Sequence, residues 1–161
     1  MATAGKNLSE FDRDAVPSAA PYTFALVVSE WNREITDKLA QGALDTLISL
    51  GAAPERIDLQ FVPGSFELPS GAKLMLERNH YDAAIAIGSV IQGETRHFDF
   101  VCSAVAQGVK DVALQTGVPV IFCVLTDDNI EQAHARAGGR HGNKGVEAAV
   151  AAVKMAKLRK G

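Results

Sequence analysis

The sequence predicts an α/β fold, a three-layer sandwich built on one four-stranded parallel sheet in the order 2-1-3-4. Two observations carry this. Residues 22–29 (YTFALVVS), 57–62, 83–91 and 118–125 (VPVIFCVL) are short runs rich in apolar and β-branched residues, as suits strands covered on both faces. Between them lie segments of helical period, and that alternation is the signature of βαβ units with right-handed crossovers.

Residues 1–20 are small, polar and without period, and read as a flexible or partner-docked arm, with order beginning at Pro21. Residues 21–161 form a single domain. After the first strand, Asn32 is placed to cap a helix whose apolar face is Ile35, Leu39, Ala43, Leu47 and Leu50, and Gly51 ends it. Pro63 and Gly64 break the second strand, and a helix follows over 68–78 with Pro69 in its first turn. The third strand runs into Gly88, Gly93, Glu94, Thr95, Arg96 and His97, and Phe98 opens a helix that Gly117 stops. Asp127, Asp128 and Asn129 supply caps for a short helix over 130–137. A last helix over 145–160 carries Val146, Ala149, Val150, Val153 and Met155 on or near one side.

Composition narrows the function. The formal net charge is -3 and 22% of residues are charged, so there is no basic excess to neutralise a nucleic-acid backbone. The basic tail Lys154, Lys157, Arg159 and Lys160 suits the last turn of a helix. No run approaches the length of a membrane span, and the first residues show no secretory or transit pattern, so a cytoplasmic protein is expected. Cys102 and Cys123 stand alone within helix and strand patterns and read as buried thiols. His97 has no partner at metal-ligand spacing. The GxxxxGK[ST] and GxGxxG orders of nucleotide sites are absent.

In an open parallel sheet the loops after the strands converge at one edge. Here they bring Glu30, Trp31 and Asn32, the segment Pro63–Glu67, the segment Ser89–His97 and residues 122–128. A helix N-terminus after the third strand suits a phosphate, and a histidine there can move protons. The glycine-rich stretch with Arg136, Arg140 and Lys144 reads either as a solvated loop or as an anion-binding one.

Three of these stretches, PGSFELP at 63–69, AIGSVIQGETRHFDF at 86–100 and RAGGRHGNKG at 136–145, resemble the lumazine synthase family. The likeness spans about residues 21–158. It implies a flavodoxin-like fold and the penultimate reaction of riboflavin biosynthesis. There, 5-amino-6-(D-ribitylamino)uracil condenses with 3,4-dihydroxy-2-butanone 4-phosphate to 6,7-dimethyl-8-ribityllumazine, phosphate and water. By the same resemblance Trp31 stacks on the pyrimidine, Ser65, Phe66 and Glu67 hold ribityl and ring polar atoms, and Ser89, Val90 and Ile91 contact the ring through backbone groups. Phe122 is the fourth-strand contact to the ring. Glu94 and Thr95 match phosphate-loop positions, His97 the proton-transfer histidine, and Arg136 the phosphate-binding arginine from a neighbouring subunit. Lys144 matches a lysine of the same loop. Glu94 would set a carboxylate beside a phosphate, so its backbone N–H is expected to bind and its side chain to turn away. No cofactor or metal is implied. The family further implies a homopentamer with sites between subunits, and the unextended GGRHGNKG loop resembles that of members forming icosahedral shells. The alternative on the same fold is a non-catalytic flavin-binding or shell-forming protein.

Overall fold

The computed structural model describes residues 7–161. The arm expectation for residues 1–6 lies outside the described residues. A central parallel sheet holds β1 (Phe24–Ser29), β2 (Ile57–Val62), β3 (Ala83–Ile91) and β4 (Val120–Asp127) in the order β2-β1-β3-β4. The helices are α1 (Arg33–Ser49), α2 (Leu68–Arg78), α3 (His97–Thr116), α4 (Ile130–Arg136) and α5 (Lys144–Lys160). A small antiparallel hairpin, β5 (Ala137–Gly139) with β6 (Gly142–Asn143), occupies the stretch read as a glycine-rich loop.

Alternation along the strands sorts the core into two layers. Phe24, Leu26, Val28, Ile85 and Ile87 point to α1 and α5, with Ile35, Leu39, Leu47, Ala149 and Val153. Ala25, Val27, Ala84 and Ala86 point to α2 and α3, with Leu68, Ala72, Val105 and Val109. Every residue of β1 is buried, as the apolar run requires of a strand with helices on both faces.

Three expectations change. The buried side of α5 is Gly145, Ala148, Ala149, Ala152, Val153 and Ala156, whereas Met155 is exposed. The reason is close helix packing: a Cβ on Gly145 would lie 1.9 Å from the Leu39 carbonyl oxygen of α1, so only small residues fit the seam. β4 starts two residues late and runs through Thr126 and Asp127, which pair with Val90 and Ile91, so Asp127 is a buried strand residue rather than a cap. The chain is tied to the domain before Pro21. Leu8 N donates to His141 O at 2.8 Å, Asn143 N to Ser9 Oγ at 2.9 Å, and Ala19, fully buried, donates to Leu50 O.

At the amino end of the sheet, Asp82 gathers the C-terminal tail. Its carboxylate accepts from Thr23 N at 2.8 Å and lies 2.8 Å from Lys160 Nζ, with Arg159 Nη1 at 3.8 Å. Burial alone raises this carboxyl, but the Lys160 ammonium and the Thr23 N–H outweigh it, and the group titrates below the usual carboxylate range. A folded-state value below the unfolded one means stability that is present above the ordinary carboxylate pKa and lost as the pH falls through the folded one. Asp82→Asn should therefore lower the melting temperature at neutral pH, and its deficit against the parent should shrink as the pH drops below about 4. Thermal melts over that range check this; a deficit that stays constant in acid would contradict it.

Candidate active site

Residues at the carboxyl ends of β1, β2 and β3 line a cleft of about 460 Å³. The β1–α1 corner comes first. Ser29 Oγ accepts from Trp31 N at 3.2 Å, and Thr36 Oγ1 donates to Ser29 O at 2.8 Å, which turns the chain sharply. Trp31 is left 70% exposed on the rim. Asn32 begins α1 by accepting from Ile35 N and Thr36 N with its carbonyl, but its side chain makes no capping bond. It sits at φ 58°, the left-handed region, from which its Nδ2 donates to Ser89 O of β3 at 3.0 Å. The cap expected from the sequence is thus replaced by a bond across the sheet edge.

After β2, Ser65–Glu67 form a single 3-10 turn before α2. Phe66 is 59% exposed and faces the cleft, while the Ser65 hydroxyl is buried. That packing depends on Gly88, where a Cβ would stand 2.6 Å from Ser65 Oγ and 2.9 Å from Leu68 Cδ1. Ser65 Oγ and Ser89 Oγ both border the cleft, are buried, and have no hydrogen-bond partner among the described residues. Buried hydroxyls are as a rule hydrogen-bonded, so these two can each donate to and accept from a polar group entering the cleft.

Beyond β3 the chain is exposed from Gln92 to His97. Gln92 N donates to Asp127 O at 2.9 Å, which ties the loop's start to the end of β4. Nothing lies within 4 Å of where a Cβ on Gly93 would be. Thr95 Oγ1 accepts from His97 N at 3.4 Å, and His97 is the first residue of α3. The helix N-terminus, with its unpaired N–H groups and positive dipole end, therefore opens beside the imidazole. Phe98 and Val101, one turn apart on α3, supply the apolar wall.

Of the residues singled out from the sequence, Trp31, Ser65, Phe66, Glu67, Ser89, Val90, Ile91, Thr95 and His97 line this cleft, and Glu94, exposed in the same loop, does not. Phe122, Arg136 and Lys144 lie apart from it. Phe122 sits mid-strand opposite Ala86, half-buried against the α2 and α3 layer. Arg136 ends α4, where Nη1 donates to Gln132 O at 2.9 Å and lies 3.6 Å from Asp127 Oδ1. Burial raises the Asp127 carboxyl against the opposing pull of Arg136, and its Oδ2 has no partner among the described residues. Lys144 opens α5, only 17% exposed, with Nζ 2.8 Å from Glu147 Oε1. The cysteines are poor nucleophiles: burial pushes the Cys123 thiol up to about 12 and raises Cys102 as well. Sequence reasoning placed Asn32 at this edge with Trp31 but missed Phe98 and Val101 as cleft residues. The i, i+3 spacing of the last two in the first turn of α3 was the available signal.

Comparison with known proteins gives the family. The family model described as 6,7-dimethyl-8-ribityllumazine synthase matches residues 21–160. A protein of Christiangramia forsetii named 6,7-dimethyl-8-ribityllumazine synthase is 59% identical, over 99% of this chain and 96% of its own. One of the same name from Flavobacterium johnsoniae is 57% identical over 99% of this chain and 84% of its own. Another, from Parabacteroides distasonis, is 52% identical over 96% and 97% respectively. With a family model over almost the whole domain and relatives of this similarity over nearly their full lengths, the chain belongs to the 6,7-dimethyl-8-ribityllumazine synthase family.

Proposed function

We propose that this cleft condenses 5-amino-6-(D-ribitylamino)uracil with 3,4-dihydroxy-2-butanone 4-phosphate, releasing 6,7-dimethyl-8-ribityllumazine, inorganic phosphate and water. The observation that carries the reading is the meeting, in one cleft, of an exposed tryptophan, two unpartnered buried hydroxyls, and a histidine at a helix N-terminus. Trp31 stacks on the pyrimidine, whose flat apolar face suits an exposed indole. Ser65, Phe66 and Glu67 hold ribityl and ring polar atoms, and the backbone from Ser89 to Ile91 reads the ring edge. Thr95 and the backbone N–H of Glu94, at the N-terminus of α3, hold the phosphate.

The amine nucleophile belongs to the pyrimidine, so the protein's main contribution is to hold two reactants in register. That entropic advantage can reach about 7–11 kcal/mol. The amine attacks the ketone carbonyl and a first water leaves as the imine forms; phosphate is then eliminated, and closure of the second ring, the ribityl-bearing nitrogen attacking the remaining carbonyl, expels a second water. Each stage moves a proton, and His97 carries it, a role worth about 10² to 10⁴-fold.

Arg136 completes the site from the next subunit of a homopentamer, Phe122 adds the fourth-strand contact to the pyrimidine, and Lys144 belongs to the same loop as Arg136. Residues 21–161 act as one domain, against which Leu8, Ser9 and Ala19 of the same chain pack. We further propose a cytoplasmic enzyme whose pentamers close into an icosahedral shell. A ring of this kind needs a heterologous contact, one face of a subunit against a different face of the next.

Purified protein given both substrates should form lumazine, followed by fluorescence, together with equimolar phosphate, and neither should appear when one substrate is omitted. His97→Ala should slow this turnover by about 10² to 10⁴-fold while the pyrimidine still binds. Unchanged activity in that variant would remove His97 from the mechanism. Pyrimidine binding with no turnover in the parent would instead favour the non-catalytic flavin-binding or shell-forming protein. Glu94→Ala should alter KM for the phosphate substrate by no more than about twofold, as for an exposed side chain that makes no contact; a larger rise would show that its carboxylate takes part.

A further inference from the structure

We infer that Asn32 is a positioning residue that sets the pyrimidine-reading edge of β3, acting through the Ser89 carbonyl. The argument starts from a mismatch in strand length. β1 and β3 pair from Phe24 with Ala83 to Val28 with Ile87, and there the ladder ends. β3 runs on to Ile91, paired only with β4. Past Ile87, the side of β3 that faced β1 has lost its partner strand, and the backbone groups there need another one. Asn32 supplies it: Nδ2 donates to Ser89 O at 3.0 Å and replaces one link of the missing ladder.

The backbone is bent to make this bond possible. Asn32 is the one non-glycine residue with positive φ among the described residues, at 58°. Asparagine tolerates the left-handed region better than most residues, yet the conformation still costs free energy. A helix cap would justify neither that cost nor this residue, because the side chain makes no capping bond. The left-handed turn does two things at once. It sends Trp31 out to the rim, 70% exposed, and it turns the amide of Asn32 inward to β3. Asn32 and Ser89 both line the cleft, and Ser89 is 1% exposed, so its carbonyl has little water to fall back on. Asn32 thus links the corner that carries Trp31 directly to the ring-edge backbone of β3.

This rests on the proposed reading that Trp31 and the backbone of Ser89–Ile91 bind the pyrimidine. Two variants separate the bond from the turn. Asn32→Gly keeps easy access to positive φ and removes the amide. Asn32→Asp keeps size and turn tolerance but sets a carboxylate oxygen against the Ser89 carbonyl. The probe is 5-amino-6-(D-ribitylamino)uracil, with binding read from the fluorescence of Trp31, the only tryptophan in the chain, and turnover read from lumazine formation.

Asn32→Gly should weaken pyrimidine binding and raise its KM by about tenfold, the size expected when a buried acceptor loses its donor. Asn32→Asp should lose more. In Asn32→Gly the KM for 3,4-dihydroxy-2-butanone 4-phosphate should stay at the parent's value, a split between the two substrates that a merely structural loss would not give. If the parent binds the pyrimidine and both variants bind it within about twofold of the parent, the positioning role is overturned and the proposed activity stands. If the parent itself fails to bind the pyrimidine, the activity reading falls and this inference falls with it.

Discussion

β3 is longer than its neighbour β1 at the carboxyl edge of the sheet, and the cleft exists because of that difference. Where β1 turns away at Ser29, β3 continues to Ile91 and leaves a step one strand wide. The backbone along that step must be satisfied, and residues from three loops converge on it. Asn32 donates to Ser89 O, Ser65 packs its hydroxyl over Gly88, and on the far side Gln92 N is held by Asp127 O. Any side chain at position 88 would meet Ser65 and Leu68 and lift the β2–α2 turn off the step.

The two ends of the sheet divide the work. At the amino end, Asp82 gathers Thr23, Arg159 and Lys160 into a closed network that ties the C-terminal helix to β3, and the tail's basic residues have a structural use there. At the carboxyl end, polar atoms are left open: two serine hydroxyls, one oxygen of Asp127, and the first turn of α3. The paired groups lie at the amino end of the sheet, and the unpaired ones lie at the end where the cleft opens. The small-residue seam between α1 and α5, closed at Gly145 against Leu39, keeps the layer behind the step compact.

Much of the fold was legible because the buried strands are unbroken apolar runs and the helices carry regular faces; β2, β3 and α2 begin and end where the pattern places them. Legibility failed where geometry depends on how elements meet. The capping preference of asparagine assumes an extended backbone, and Asn32 adopts a left-handed one to reach another strand. The buried side of α5 follows from helix separation rather than from hydropathy, so alanines displace Met155. The hairpin at 137–143 is held by Asn143 and its contacts with Lys38 and Ser9, from opposite parts of the chain, which no local pattern reports. Among the site residues, those following β1 to β3 share the cleft because strand ends share an edge. Phe122, Arg136 and Lys144 were recognised by motif alone, and motif carries no information about which copy of a chain a residue serves.

The central claim is that a site made by one chain's His97 is completed by another chain's Arg136. Mixing the two single variants tests it most directly. His97→Ala and Arg136→Ala protein, each inactive or nearly so, would be unfolded together, refolded and assayed for lumazine formation. With random assembly around a heterologous ring, about a quarter of the sites would regain both residues, and activity should return to about that fraction of the parent's. Activity no higher than the average of the two separate variants, in a mixture shown to contain hybrid assemblies, would mean that each chain builds its site alone and would contradict the account.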